Sequence, residues 1–260
     1  MLEVSPLPPV SRPQNEDVID LIDVILLALV MFGIFAVVGT ISGTVYMVTH
    51  GIRTLDSKAL EEALTKNAFF VVPTQFVTYM AILGFMSLLL WVRHRVSLLP
   101  AIQWNTPSRR RAMNALMLGA GLALFSNIGS IVLDRWTPKS LPITEYFRDR
   151  PSALLLGGFS ILIAPFMEEV VFRGFLYPAL ARWTGAFVSV MVTAGAFAAL
   201  HGQQLSYSWA PLLLILNVGV VLTLTRVITK SVATCVIVHM TYNFAIFVQS
   251  YITTHGFRQL

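Results

Sequence analysis

Within one apolar stretch the chain reads Pro165-Phe166-Met167-Glu168-Glu169-Val170-Val171-Phe172-Arg173-Gly174. Two further apolar stretches carry Phe197-Ala198-Ala199-Leu200-His201-Gly202 and His239-Met240-Thr241-Tyr242-Asn243. Ionisable side chains deep in an apolar span are costly, so they tend to be paired and functional. Glu169 and Arg173 lie four apart on one helix face, suitably placed for an ion pair. Glu168 is rotated by about 100° and faces something else. A structural salt bridge that fixes helix packing is the alternative, but such a pair does not need a second acid. His239 and Asn243 are again four apart on a shared face. Taken singly, His201 and the His239–Asn243 pair also read as interhelical hydrogen-bonding groups.

Together these residues have a common chemistry. A carboxylate beside a histidine in a low-dielectric pocket acts as a general base on water. A histidine and an asparagine amide nearby donate hydrogen bonds to a developing oxyanion. That is equipment for amide hydrolysis. The lone cysteine, Cys235, has no adjacent base in sequence, and it permits neither an internal disulfide nor a cysteine-based zinc site.

The elements that must position these groups are membrane helices. Of the 260 residues, 56% are apolar and 12% charged, with a mean hydropathy of +0.73; soluble domains carry about 25% charged residues. Several uncharged windows reach the roughly 20 residues needed to cross a bilayer. Their continuous apolar character excludes the alternating strands of a β-barrel. The expected fold is all-α, a polytopic transmembrane bundle of seven to eight spans. The helices are placed at 20–50, 67–93, 112–133, 152–182, 186–205, 210–228 and 231–252, with Pro165 bending the fourth and an eighth span arising if that helix splits. Residues 1–19 are expected as a disordered tail, 20–252 as the membrane domain and 253–260 as a C-terminal tail. The N-terminal segment lacks the basic region of a cleavable signal peptide. Segment 53–66 is expected at the interface, as is the loop 134–151.

A net charge of +5 is spread over loops, so it is read as topology and headgroup contact, with no nucleic-acid partner. With the N-terminus inside, nine Lys and Arg, Arg226 among them, fall on one side and eight on the other. The Arg109-Arg110-Arg111 cluster tips the orientation towards N-terminus inside. Adjacent helices run antiparallel, so depth can be measured from the side shared by the loops near 184 and 228. At about 1.5 Å per residue, Glu168 lies roughly 20 Å in, His201 roughly 21 Å, His239 roughly 12 Å and Asn243 roughly 18 Å. Three helices thus bring four polar residues to one layer.

The order Glu168-Glu169-x-x-x-Arg173, Phe197-x-x-x-His201 and His239-x-x-x-Asn243 resembles the CPBP family. That family holds the type II CAAX prenyl endopeptidases, bacteriocin-processing enzymes and Abi-type immunity proteins. The resemblance spans 150–252 and implies about eight spans around a water-filled cavity. It implies Glu168 and His201 activating water, and His239 and Asn243 forming the oxyanion hole. Glu169, Arg173 and Phe197 are then supporting residues. Family members are described both as metalloproteases and as metal-free glutamate proteases. Glu168, His201 and His239 can supply a His₂Glu zinc set, but the Asn243 amide suits oxyanion stabilisation better, so no cofactor is expected. The expectation is a multi-pass endopeptidase of the cell membrane, acting on a membrane-bound or lipidated peptide. A non-catalytic scaffold or immunity protein of the same fold is one alternative. A proton- or metal-coupled transporter is another, and predicts repeats and broken helices in matching halves.

Overall fold

The computed structural model describes residues 18–51, 67–142, 144 and 149–258; most of the expected N-terminal tail and all of the interfacial segment 53–66 lie outside them. The described residues form helices and turns, with no strand among them. Helix α1 (Leu21–Thr49) starts at a capping box in which Asp20 and Asp23 accept each other's backbone N–H groups. Val18 and Ile19, just before it, pack against the core. Helix α2 (Ala68–His94) is capped by Asn67 and leads through the short α3 (Leu98–Ala101) to α4 (Arg109–Val132). After a 3₁₀ turn at Asp134–Trp136, Asp149 caps α5 (Arg150–Leu162). Helix α6 (Ala164–Glu169), a π-helical turn (Val170–Leu176) and α7 (Tyr177–Leu200) follow without a loop. A 3₁₀ turn (Gln203–Leu205), α8 (Trp209–Thr229) and α9 (Val232–Thr253) complete the bundle.

Six helical runs are long and apolar enough to cross a membrane. One of them, Arg150–Leu200, has 51 residues and would measure about 77 Å if straight, against a hydrocarbon core of about 30 Å. Gly185 breaks it, at φ 75° and ψ 171°, a conformation that side-chain-bearing residues rarely adopt. The run therefore folds back on itself, and among the described residues the bundle has the seven helical arms expected from the sequence. Many large apolar side chains face outward, among them Phe32, Leu29, Ile131, Phe187 and Ile228, as a lipid solvent allows.

Two boundaries beside the motif residues differ from the sequence reading. The fourth helix breaks at Ile163, two residues before Pro165, because Pro165 has no N–H and sits where a new helix starts. The fifth ends at Leu200 instead of 205, with His201 as its C-cap. The arm after Gly185 is thus only residues 186–200, about 22 Å long. A helix this short stops before it crosses the hydrocarbon, and backbone that leaves a helix at depth must be buried in protein or line a cavity.

The core has two parts. One gathers Ile82, Met86, Leu90, Ile102, Met167, Val170 and Phe175; the other gathers Leu122, Phe172, Phe197, Val218, Leu222 and Val238. The π-helical turn supplies Phe175 to the first and Phe172 to the second, so the charged residues beside it are clamped between both. Helices α4 and α9 meet closely: a Cβ on Gly119 would lie 2.7 Å from the Thr241 Cβ and would strike the Val238 carbonyl oxygen.

Candidate active site

The break at Ile163 and the π-helical turn bracket Glu168 and Glu169. Single wide turns of this kind recur at functional sites because they displace the normal i→i−4 ladder. Here the displacement has a visible consequence. The Arg173 carbonyl cannot bond forward to residue 178, since Pro178 carries no N–H. The Nε of Arg226 on α8 donates to that carbonyl instead, at 3.1 Å. Arg226 is 4% exposed, so its place in the loop-charge tally is corrected: it is a buried strut.

Glu169 and Arg173 are both fully buried and are joined at 2.9 Å, as their spacing requires. The guanidinium also donates from Nε to the Thr223 hydroxyl, at 3.3 Å, and from Nη2 to the Gly219 carbonyl, at 3.0 Å. Its Cζ lies 4.7 Å from the centre of the Phe197 ring, a cation–π contact in a dry setting. Each of the three guanidinium nitrogens thus has a partner, which is the condition for tolerating a buried cation.

The same Glu169 oxygen, Oε1, takes a second hydrogen bond from His239 Nδ1, at 2.8 Å. The sequence reading paired Glu169 with Arg173 alone, and the structure extends that role: Glu169 also orients the histidine. With Nδ1–H held by a carboxylate, the ring orientation is set and Nε2 is directed elsewhere. Nε2 lies 3.8 Å from Glu168 Oε2. Glu168, with 23% of its side chain exposed, is the more accessible acid, and His239 is only 4% exposed. The two adjacent acids thus bracket one imidazole, one from each side.

His201 joins through Phe197. Its Nδ1 bonds the Phe197 carbonyl at 2.8 Å, and its ring centre is 4.8 Å from that of Phe197. The Phe197 ring in turn meets His239 edge-on at 5.8 Å. Asn243 uses one of its two Nδ2 hydrogens to hold the Ser160 carbonyl of α5, at 2.7 Å. From α2, Tyr79 stacks on Phe159 at 5.7 Å and comes within electrostatic reach of Glu168.

Gly219, Thr223, Arg226, Ser160 and Tyr79 went unrecognised as site neighbours in the sequence. Arg226 and Thr223 had a usable signal, being polar residues three apart near the end of an apolar run; Gly219 and Ser160 contribute backbone carbonyls, which any residue carries. Zinc bonds of about 2.0–2.2 Å require three donors close around one ion. Among the described residues, Glu168, His201 and His239 do not bring their donor atoms within 4.8 Å of one another, whereas Asp20, Asp23 and His94 do. In that second group Arg93 already pairs with both acids, and His94 itself lies 2.9 Å from Asp23.

The fold and this cluster define a multi-pass helical membrane protein with a buried carboxylate–arginine–histidine centre at a broken helix. Residues 150–245 match the family model described as type II CAAX prenyl endopeptidase Rce1-like. The match bears out the CPBP resemblance, begins at the first residue of α5 and takes in all seven residues of the three motifs. No curated protein and no solved structure matches the chain.

Proposed function

We propose that this protein is an intramembrane endopeptidase that cleaves a peptide bond of a membrane-associated or lipidated peptide with activated water. The observation that carries the reading is the imidazole of His239, anchored by buried Glu169 and turned towards the more exposed Glu168. In this reading Glu168, with His201, takes a proton from water as its oxygen bonds to the scissile carbonyl carbon. The oxyanion so formed accepts from the remaining Asn243 N–H and from His239 Nε2. Donation from Nε2 requires the doubly protonated ring, because Nδ1 already donates to Glu169. Collapse of the intermediate breaks the C–N bond, and the proton held by Glu168 passes to the leaving amine. No metal takes part in this scheme.

A substrate tethered in the bilayer suits a site reached from within the helical bundle, and the family description points to prenylated C-terminal peptides. The cell membrane is the proposed location. The test uses the purified full chain in liposomes with prenylated and unprenylated peptides, with and without Glu168→Ala. Cleavage that disappears in the variant supports the proposal. A well-folded protein that cleaves none of the peptides points to the non-catalytic scaffold reading instead.

A further inference from the structure

Two polar residues of α2, Gln75 and Tyr79, stand on the face that packs into the bundle. Helix α2 turns Val72, Ile82 and Met86 into the core and Phe69, Phe76, Val77 and Met80 outward. The inward row advances by three and four residues through positions 72, 75, 79, 82 and 86, so Gln75 and Tyr79 belong to it. Both are half-buried. A polar side chain on that face of a membrane helix normally bonds a neighbouring helix. Tyr79 instead pairs with Gln75 of its own helix. Neither residue lies in the three motifs or in the matched region 150–245.

Stacking fixes where the phenol stands. The Tyr79 ring lies nearly parallel to that of Phe159 on α5, with 18° between planes and 5.7 Å between centres. Phe159 precedes Ser160, whose carbonyl holds the Asn243 amide at 2.7 Å. The phenol is thereby moored beside the Asn243 anchor, and Glu168 acts on it electrostatically without a direct hydrogen bond. Polar groups in that relation are commonly joined by water. Glu168 keeps part of its side chain exposed, with Oε2 3.8 Å from His239 Nε2. A phenol both donates and accepts. With the Gln75 amide donating to its oxygen, the Tyr79 O–H is left to donate outward.

We infer that Tyr79 is a further catalytic residue, whose hydroxyl donates a hydrogen bond to the water that Glu168 activates. The inference rests on the proposed peptidase reading. The water gives one proton to Glu168 and one lone pair to the scissile carbonyl carbon. Its other lone pair accepts from Tyr79. A carbon–oxygen bond forms, the proton stays on Glu168 until the C–N bond breaks, and Tyr79 keeps its own proton throughout. Two groups from two helices, α2 and α6, thus hold the nucleophile, and its line of approach is set before the substrate arrives.

Tyr79→Phe tests this, because it keeps the ring and its stack on Phe159 and removes only the hydroxyl. With the full chain in liposomes, kcat should fall about 10²-fold, the cost of misplacing a reacting group. KM and melting temperature should stay close to wild type. A tyrosine needed only for packing would be replaced by phenylalanine without loss. A second readout requires no turnover. In protein carrying isotope-labelled tyrosine, the phenol C–O infrared band of Tyr79 is assigned by its loss in Tyr79→Phe. That band should shift in Glu168→Gln. A wild type that cleaves no peptide while the band shifts would set aside the peptidase reading and support the water link between the two side chains. Wild-type kcat in Tyr79→Phe, or a band that stays in place, would overturn the inference.

Discussion

Consider alanine placed at each of the two adjacent acids in turn. Glu169→Ala leaves Arg173, fully buried, facing Thr223 and a backbone carbonyl with no anion, and it removes the anchor of His239. Breaking a buried ion pair by removing one partner costs about 3–5 kcal/mol. For a chain of this size each kcal/mol is worth about 2–4 °C, so a fall of about 6–20 °C in melting temperature is expected. Glu168→Ala removes a side chain that is 23% exposed and lies 3.8 Å from the His239 imidazole. Its stability cost should stay within about 1 kcal/mol, the range for a loosely held pair. Turnover should nevertheless fall by at least about 10²–10⁴, the usual contribution of a positioned base. Both variants are reconstituted, and melting temperature and single-turnover cleavage are measured on the same preparations. A stable but inactive Glu169→Ala beside an active Glu168→Ala would show that the two roles are reversed.

Asn243→Ala should lower kcat by about 10²–10³ with little change in KM, as expected for loss of one oxyanion donor; a kcat within threefold of wild type would remove Asn243 from the mechanism. Dialysis against a strong chelator should leave cleavage unchanged, with no stoichiometric zinc copurifying; loss of activity restored by zinc would favour the Glu168, His201 and His239 ligand set. At the α1–α2 junction, burial pushes the Asp20 carboxyl up, but the Asp23 amide and the Arg93 guanidinium together hold it below its ordinary 3.8. Its contribution to stability is therefore present above pH 3.8 and lost as pH falls through the lowered value. Melting curves taken from pH 5 to about pH 2 should show that loss in the wild type and a shallower one in Asp20→Asn.

The membrane fold was legible in the sequence because lipid imposes a simple rule: about 20 consecutive apolar residues for each helical crossing. The pairing of Glu169 with Arg173 was legible for a similar reason, since a four-residue spacing on a helix places both on one face whatever surrounds them. The three motifs, read in order, pointed to the same family that residues 150–245 match. What depended on tertiary structure was the set of partners that each polar group finds across helices. Glu169 reaches His239 over 70 positions of chain, and Arg226 reaches the Arg173 carbonyl over 53. Neither contact has a periodicity to betray it. The vacant Arg173 carbonyl exists because a π-helical turn meets Pro178, and the need for Arg226 follows from that local geometry. Likewise, Thr234 is an ordinary helical threonine in sequence; only packing shows that its hydroxyl is buried without a hydrogen-bond partner. Periodicity reports the face on which a side chain lies, and burial in three dimensions decides which group must answer it.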